Sequence, residues 1–270
     1  MHNIVGRIAF IGAGKMATAI AGGLVKGGIA TEKIVAYDIF PEALEAFATK
    51  TGVQNKADSV QKVLEGSEIV ILAVKPQNIS DAMSAAAGSI SGKLLISIAA
   101  GIRIEQLLEL SGCERIIRVM PNTPALIGEG ISAYAVSANV SGRDIAMAEK
   151  VLSAVGEFCR VKEDLMDAVT GLSGSGPAYV FEFIQSLADG GVNAGLPRDT
   201  ALRLAVKTVY GAAKMLLETG EHPAVLKEQV TSPGGTTARG LGVMSRNAFN
   251  GIIIDAVAAA AERSAELGKK

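Results

Sequence analysis

From Arg7 to Ile20 the chain reads RIAFIGAGKMATAI, an apolar run that breaks at glycine and restarts with helical spacing. Few folds accept that order: strand, tight turn, helix. In Gly12-Ala13-Gly14-Lys15-Met16-Ala17 the first glycine permits the turn and the second lets a ligand phosphate approach the backbone. Ala17 lets the helix close onto the strand. The helix start adds free N–H groups and the positive end of its dipole, which suit a pyrophosphate better than an empty glycine turn. Asp38 ends the next strand-like run roughly 20 residues later, where an acid accepts hydrogen bonds from a ribose.

The alternation continues to about Lys162. Strands are expected at Arg7–Gly12, Lys33–Asp38, Glu68–Val74, Leu94–Ile98, Arg115–Met120, Ser132–Val136 and Glu157–Val161. Helical patterns lie between them, such as Pro41–Thr51 and Ser141–Val155, as the βαβ units of a parallel sheet require. This predicts a doubly wound α/β domain over residues 1–162. Small residues at Ala73–Pro76 and Ser97–Gly101 fall at its carboxyl edge, where ligands lie in such sheets.

Beyond Asp164 the β-branched runs stop and Ala- and Leu-rich amphipathic patterns take over. Helices are expected at Pro177–Ala194, Arg198–Thr219, Pro223–Val230, Thr236–Asn247 and Asn250–Leu267. An all-helical domain over 163–270 follows. Its apolar faces exceed what one copy can bury, so an intertwined dimer is expected.

The 270 residues are 49% hydrophobic, enough for a core, and carry 26 basic against 27 acidic side chains. That balance offers no basic face to nucleic-acid phosphates. The opening MHNIVGRIAFIGAG lacks the segmentation of a secretory leader and reads as a first strand. No run of about 18 apolar residues offers a membrane span. Cys113 and Cys159 sit in apolar stretches and read as buried thiols, in keeping with a reducing, cytoplasmic setting. No His, Cys or carboxylate spacing suggests a metal.

The acid–base inventory is thin. His2 is terminal, and His222 precedes Pro223 at a helix start, where it reads as a turn or capping residue rather than a catalytic base. Reducing a ketone builds charge on oxygen and calls for a proton donor, whereas a protonated imine already carries its proton. Carbon–nitrogen reduction therefore fits better. Two glycine loops open helices in the second half, Thr170–Pro177 and Thr231–Thr237. The span Ser232–Thr237 reads as a wrap for a carboxylate, made of exposed N–H groups and a helix dipole.

Taken in order, GAGKMATAI, AVKPQ, SIAAGI, RVMPNTPALIGEG, TGLSGSGPAYVFEF and TSPGGTTARGL closely resemble the successive motifs of the pyrroline-5-carboxylate reductases. The resemblance implies a Rossmann domain and a helical dimerisation domain, with reduction of 1-pyrroline-5-carboxylate to L-proline by NADPH or NADH. It implies homodimers that can assemble into decamers. It assigns Ile11, Gly12, Ala13, Gly14, Lys15 and Met16 to the pyrophosphate. Ala73, Val74, Lys75, Pro76, Ile98, Ala99 and Ala100 line the coenzyme, with Glu163 and Asn122 near it.

On the substrate side the resemblance places Ser232, Gly234, Gly235, Thr236, Thr237 and Ser175, with the Thr237 hydroxyl toward the ring nitrogen. Two positions depart from the family pattern. Gln229 stands where relatives often have Asn, and Asp38 stands where relatives favouring NADPH tend to have Ser, Arg or Asn, so NADH is expected to serve at least as well. A β-hydroxyacid dehydrogenase would need a Lys where this chain has Val180. A coenzyme-binding sensor without activity would have no use for the second cradle.

Overall fold

The computed structural model describes residues 6–268; His2 and the rest of the opening segment lie outside them. The chain divides into two compact units, one running through Ser175 and taking up the chain again from Ala259, the other spanning Gly176–Ala258.

The first unit alternates strands and helices. In order they are β1 (Arg7–Ile11), α1 (Lys15–Lys26), β2 (Ile34–Tyr37), α2 (Pro41–Thr51), α3 (Val60–Leu64), β3 (Ser67–Leu72), α4 (Ile79–Ala86), β4 (Leu94–Ser97), α5 (Ile104–Ser111), β5 (Ile116–Met120), β6 (Gly130–Val136), α6 (Gly142–Leu152) and β7 (Gly156–Arg160). The strands form one sheet in the order β2-β1-β3-β4-β5-β6-β7. Along β1, Ile8 and Phe10 face one core with α1, α2 and α6, while Ala9 and Ile11 face another with α3, α4 and α5. Helices on both faces explain why the strands read as unbroken apolar runs.

Two expectations need correction. The sheet is not wholly parallel, because β6 runs antiparallel to β5. Only Pro121–Glu129 joins them, shorter than the dozen or more residues a parallel crossover requires. Cys113 is buried as expected, but Cys159 is exposed. It sits on β7, which pairs only with β6 at the sheet edge, so its outward face meets solvent.

After β7 the chain makes one helical turn, α7 (Met166–Val169), and a wider π-type turn at Thr170–Gly174. Then follow α8 (Gly176–Asn193), α9 (Arg198–Thr219), α10 (Pro223–Gln229), α11 (Thr236–Arg246) and α12 (Phe249–Leu267). Within the second unit the buried residues are Ala188, Ala201 and Ala205, where α8 meets α9. Large apolar side chains such as Phe181, Leu204, Leu217 and Ile254 are exposed there. Among the described residues no helix is long and apolar enough to cross a membrane.

Candidate functional site

The two glycines of the first turn differ in what they do. Gly12 has φ +98°, and a Cβ there would lie 2.7 Å from the Ala73 carbonyl oxygen, so the chain's own packing demands glycine. Gly14 caps α1 at an ordinary φ of −70°. A Cβ at Gly14 would meet nothing within 4 Å. Packing within the chain does not call for that glycine, and the space beside it is open. Beside it the first-turn N–H groups, from Lys15 to Ala17, have no partner within the helix. This cradle fits a dinucleotide pyrophosphate.

Asp38 reaches back to the same turn. Its Oδ2 accepts the Ala13 N–H at 2.7 Å, and its Oδ1 accepts the Phe40 N–H at 3.0 Å. The carboxylate thus ties the end of β2 to the end of β1, a role that spacing alone did not disclose. Next in the sheet, the Ala73 N–H donates to Ile11 O at 2.8 Å and the Ile98 N–H to Leu72 O at 3.1 Å. These bonds bring Ile11–Met16, Ala73–Pro76 and Ile98–Ala100 to one carboxyl edge. There the strand order reverses about β1 and β3, the place where open α/β sheets bind ligands.

Asn122 and Glu163 have structural partners. The Asn122 Oδ1 accepts the Ile131 N–H at 3.0 Å and closes the β5–β6 connection. The Glu163 Oε1 accepts the Ile104 N–H at 2.7 Å, at the start of α5, and pairs with Arg118 at 3.2 Å. Arg118 is 4% exposed, and Asp167 lies 4.0 Å from its other terminal nitrogen. Sequence reading passed over Arg118 although the signal was present: a guanidinium centred in the apolar strand IIRVM must find carboxylate partners. The Ser175 N–H donates to Thr170 O at 2.8 Å, closing the π-type turn. A Cβ at Gly174 would lie 2.4 Å from the Met120 side chain, at the end of β5.

In the other unit Ser232–Thr237 forms a single turn. Gly234 has φ +66°. The Gly235 N–H donates to Ser232 O at 3.0 Å, and Gly235 caps α11. A Cβ at Gly235 would come within 2.3 Å of the Ser232 hydroxyl oxygen. Thr236 and Thr237 therefore open α11 with unpartnered first-turn N–H groups and a half-buried Thr237, an arrangement suited to a carboxylate. Just before this turn, the Gln229 amide donates to Glu221.

His222 caps α10, its Nδ1 accepting the Ala224 N–H at 3.2 Å, as its place before proline implied. Val180 lies on α8, so the lysine of alcohol dehydrogenation is missing there. Among the described residues no group of His, Cys, Asp and Glu could hold a metal.

Known proteins match nearly the full length of the chain. Residues 163–267 match the family model described as pyrroline-5-carboxylate reductase dimerisation, and residues 7–101 match that of NADP oxidoreductase, coenzyme F420-dependent. A pyrroline-5-carboxylate reductase of Methanosarcina acetivorans is 47% identical, covering 98% of each chain. That of Arabidopsis thaliana is 44% identical over 97% of this chain and 96% of its own. The crystal structure of Plasmodium falciparum pyrroline carboxylate reductase with NADP bound superposes with a TM-score of 0.88 at 34% identity, covering 98% of both chains.

Proposed function

The chain belongs to the pyrroline-5-carboxylate reductase family, and from that premise we propose how its own residues divide the work of the reaction. The enzyme reduces 1-pyrroline-5-carboxylate to L-proline with NAD(P)H, as its full-length relatives are named for doing. When bound, the coenzyme supplies hydride to the imine carbon.

In this reading Gly12–Met16 and the start of α1 hold the pyrophosphate, Asp38 meets the adenosine ribose, and Ala73–Pro76 with Ile98–Ala100 border the nicotinamide half. Asn122 and Glu163 stand behind that border. Ser232–Thr237, with Ser175, receives the substrate. N–H groups of the turn and of α11 take the carboxylate, while the Thr237 hydroxyl orients the ring nitrogen. The nitrogen enters protonated, polarises its carbon, and keeps its proton as the amine forms, so no His or Lys is required as a donor. Residues 163–270 form the dimerisation and substrate segment, with homodimers grouped into decamers in the cytoplasm.

One observation carries the assignment: the TSPGGTT turn, whose positive-φ Gly234 and crowded Gly235 leave a helix start open to an anion. The test is Thr237→Val, which keeps the shape and removes the hydroxyl. Losing a hydrogen bond to a charged group costs about 1.5–3 kcal/mol, or roughly ten- to over a hundredfold in kcat/KM. An unchanged kcat/KM in a folded variant removes Thr237 from the site.

A further inference from the structure

The loop from Ile98 to Arg103 carries alanine and glycine where the nicotinamide half is assigned, and so has little side chain with which to hold itself. Its support comes from the far end of the chain. The last residues of α12 belong to the same compact unit as this loop. There the backbone of Gly268 packs directly on the loop: a Cβ at Gly268 would lie 2.5 Å from the Gly101 carbonyl oxygen. Gly101 itself has φ +79°, and a Cβ on it would lie 3.6 Å from the Leu267 Cβ.

Two polar lines fix this approach. In the first, Gln106 accepts the Arg103 N–H at 2.9 Å through Oε1 and donates from Nε2 to the Gly268 carbonyl at 3.0 Å. One amide thus joins the loop's end to a helix-terminal carbonyl. In the second, the hydroxyl of Ser264, 5% exposed, donates to Asp167 at 2.7 Å. Asp167 and Glu163 flank Arg118, and Glu163 accepts the Ile104 N–H. Both lines leave α12 and end on Arg103 or Ile104, where the loop turns into α5.

We propose that the end of α12 is a brace for the coenzyme loop, with Gln106, Ser264 and Gly268 as positioning residues that touch neither coenzyme nor substrate. The inference rests on the reading that Ile98–Ala100 borders the coenzyme. The contacts of the brace fall on Gly101 and Arg103 directly and on Ile104 through Glu163, so its displacement is expected to move the backbone there.

The test uses Gly268→Ala, whose Cβ forces the Gly268 and Gly101 backbones apart, and Ser264→Ala, which cuts the second line without adding bulk. Calorimetry on the full chain without substrate measures Kd for NADPH and NADH, and amide exchange reports Gly101–Ile104. Both variants are expected to weaken both coenzymes about tenfold, the equivalent of ~1.4 kcal/mol. Exchange at Gly101–Ile104 should quicken, and KM for 1-pyrroline-5-carboxylate should stay within about twofold. Ser264→Thr, which keeps the hydroxyl, should restore binding. If Gly268→Ala fails to fold, the Ser264 pair decides alone. Coenzyme Kd unchanged in Ser264→Ala, whether or not its Tm falls, overturns the brace. That result is distinct from a failure of the assigned reaction, which would appear as wild-type protein that does not turn over 1-pyrroline-5-carboxylate.

Discussion

At position 38 the two oxygens of one carboxylate hold the Ala13 and Phe40 N–H groups, so the charge is fixed in place rather than free to swing. A 2'-phosphate brought beside it meets repulsion of roughly 4 kcal/mol for unit charges 4 Å apart at an effective dielectric near 20. Lys56, which bridges to Ala36 alongside β2, is engaged by Glu45 at 2.5 Å. NADH is therefore expected to serve at least as well as NADPH, and Asp38→Ser should move the kcat/KM ratio toward NADPH while weakening both coenzymes through loss of the turn's tie. A wild-type preference for NADPH of about a hundredfold would show that Asp38 does not face the ribose. The sequence disclosed the acid through its spacing. It could not disclose the bond to Ala13, because that depends on two strand ends lying side by side.

Among the elements, α6 shows how a partly buried ion pair and a helix cap combine. Burial raises the Asp144 carboxyl, but the Arg115 guanidinium and the Ser141 N–H and hydroxyl outweigh it, and the net shift is downward. A carboxyl depressed by folding adds stability above its unfolded value, and that stability is lost as pH falls through the folded value. Urea midpoints of the wild type should thus decline below about pH 4, more steeply than those of Asp144→Asn. At neutral pH Asp144→Ala, which strands Arg115 and uncaps α6, should cost on the order of 2–4 kcal/mol by the same measurement. The seven strands and the five late helices were legible because their apolar periods are strong and their ends carry Pro, Gly or Asp. The direction of β6 was not, since no local period records it and only the short Pro121–Glu129 link betrays it. The exposure of Cys159 was hidden likewise, because a strand's place at the edge of the sheet is a property of the whole sheet.

At the scale of the molecule, a second unit whose buried residues are three alanines cannot be stable by itself while Phe181, Leu204, Leu217 and Ile254 face outward. Burying a large apolar side chain is worth about 1.5–3 kcal/mol, and a second copy would supply such burial, in keeping with the dimerisation model matched over residues 163–267. Light scattering at micromolar concentration should find a dimer or a multiple of it; a folded monomer would refute this. The excess of apolar helix faces was legible in the sequence, whereas the brace at Gly268 was not, because it joins residues more than 160 positions apart through the Gln106 amide and the Gly101 backbone. The most direct test of the whole account is steady-state turnover of 1-pyrroline-5-carboxylate by the purified protein, with NADH and NADPH side by side and L-proline quantified. The account predicts one coenzyme oxidised per proline formed, with NADH at least matching NADPH. Absence of proline with either coenzyme, from folded protein that binds both, would contradict it.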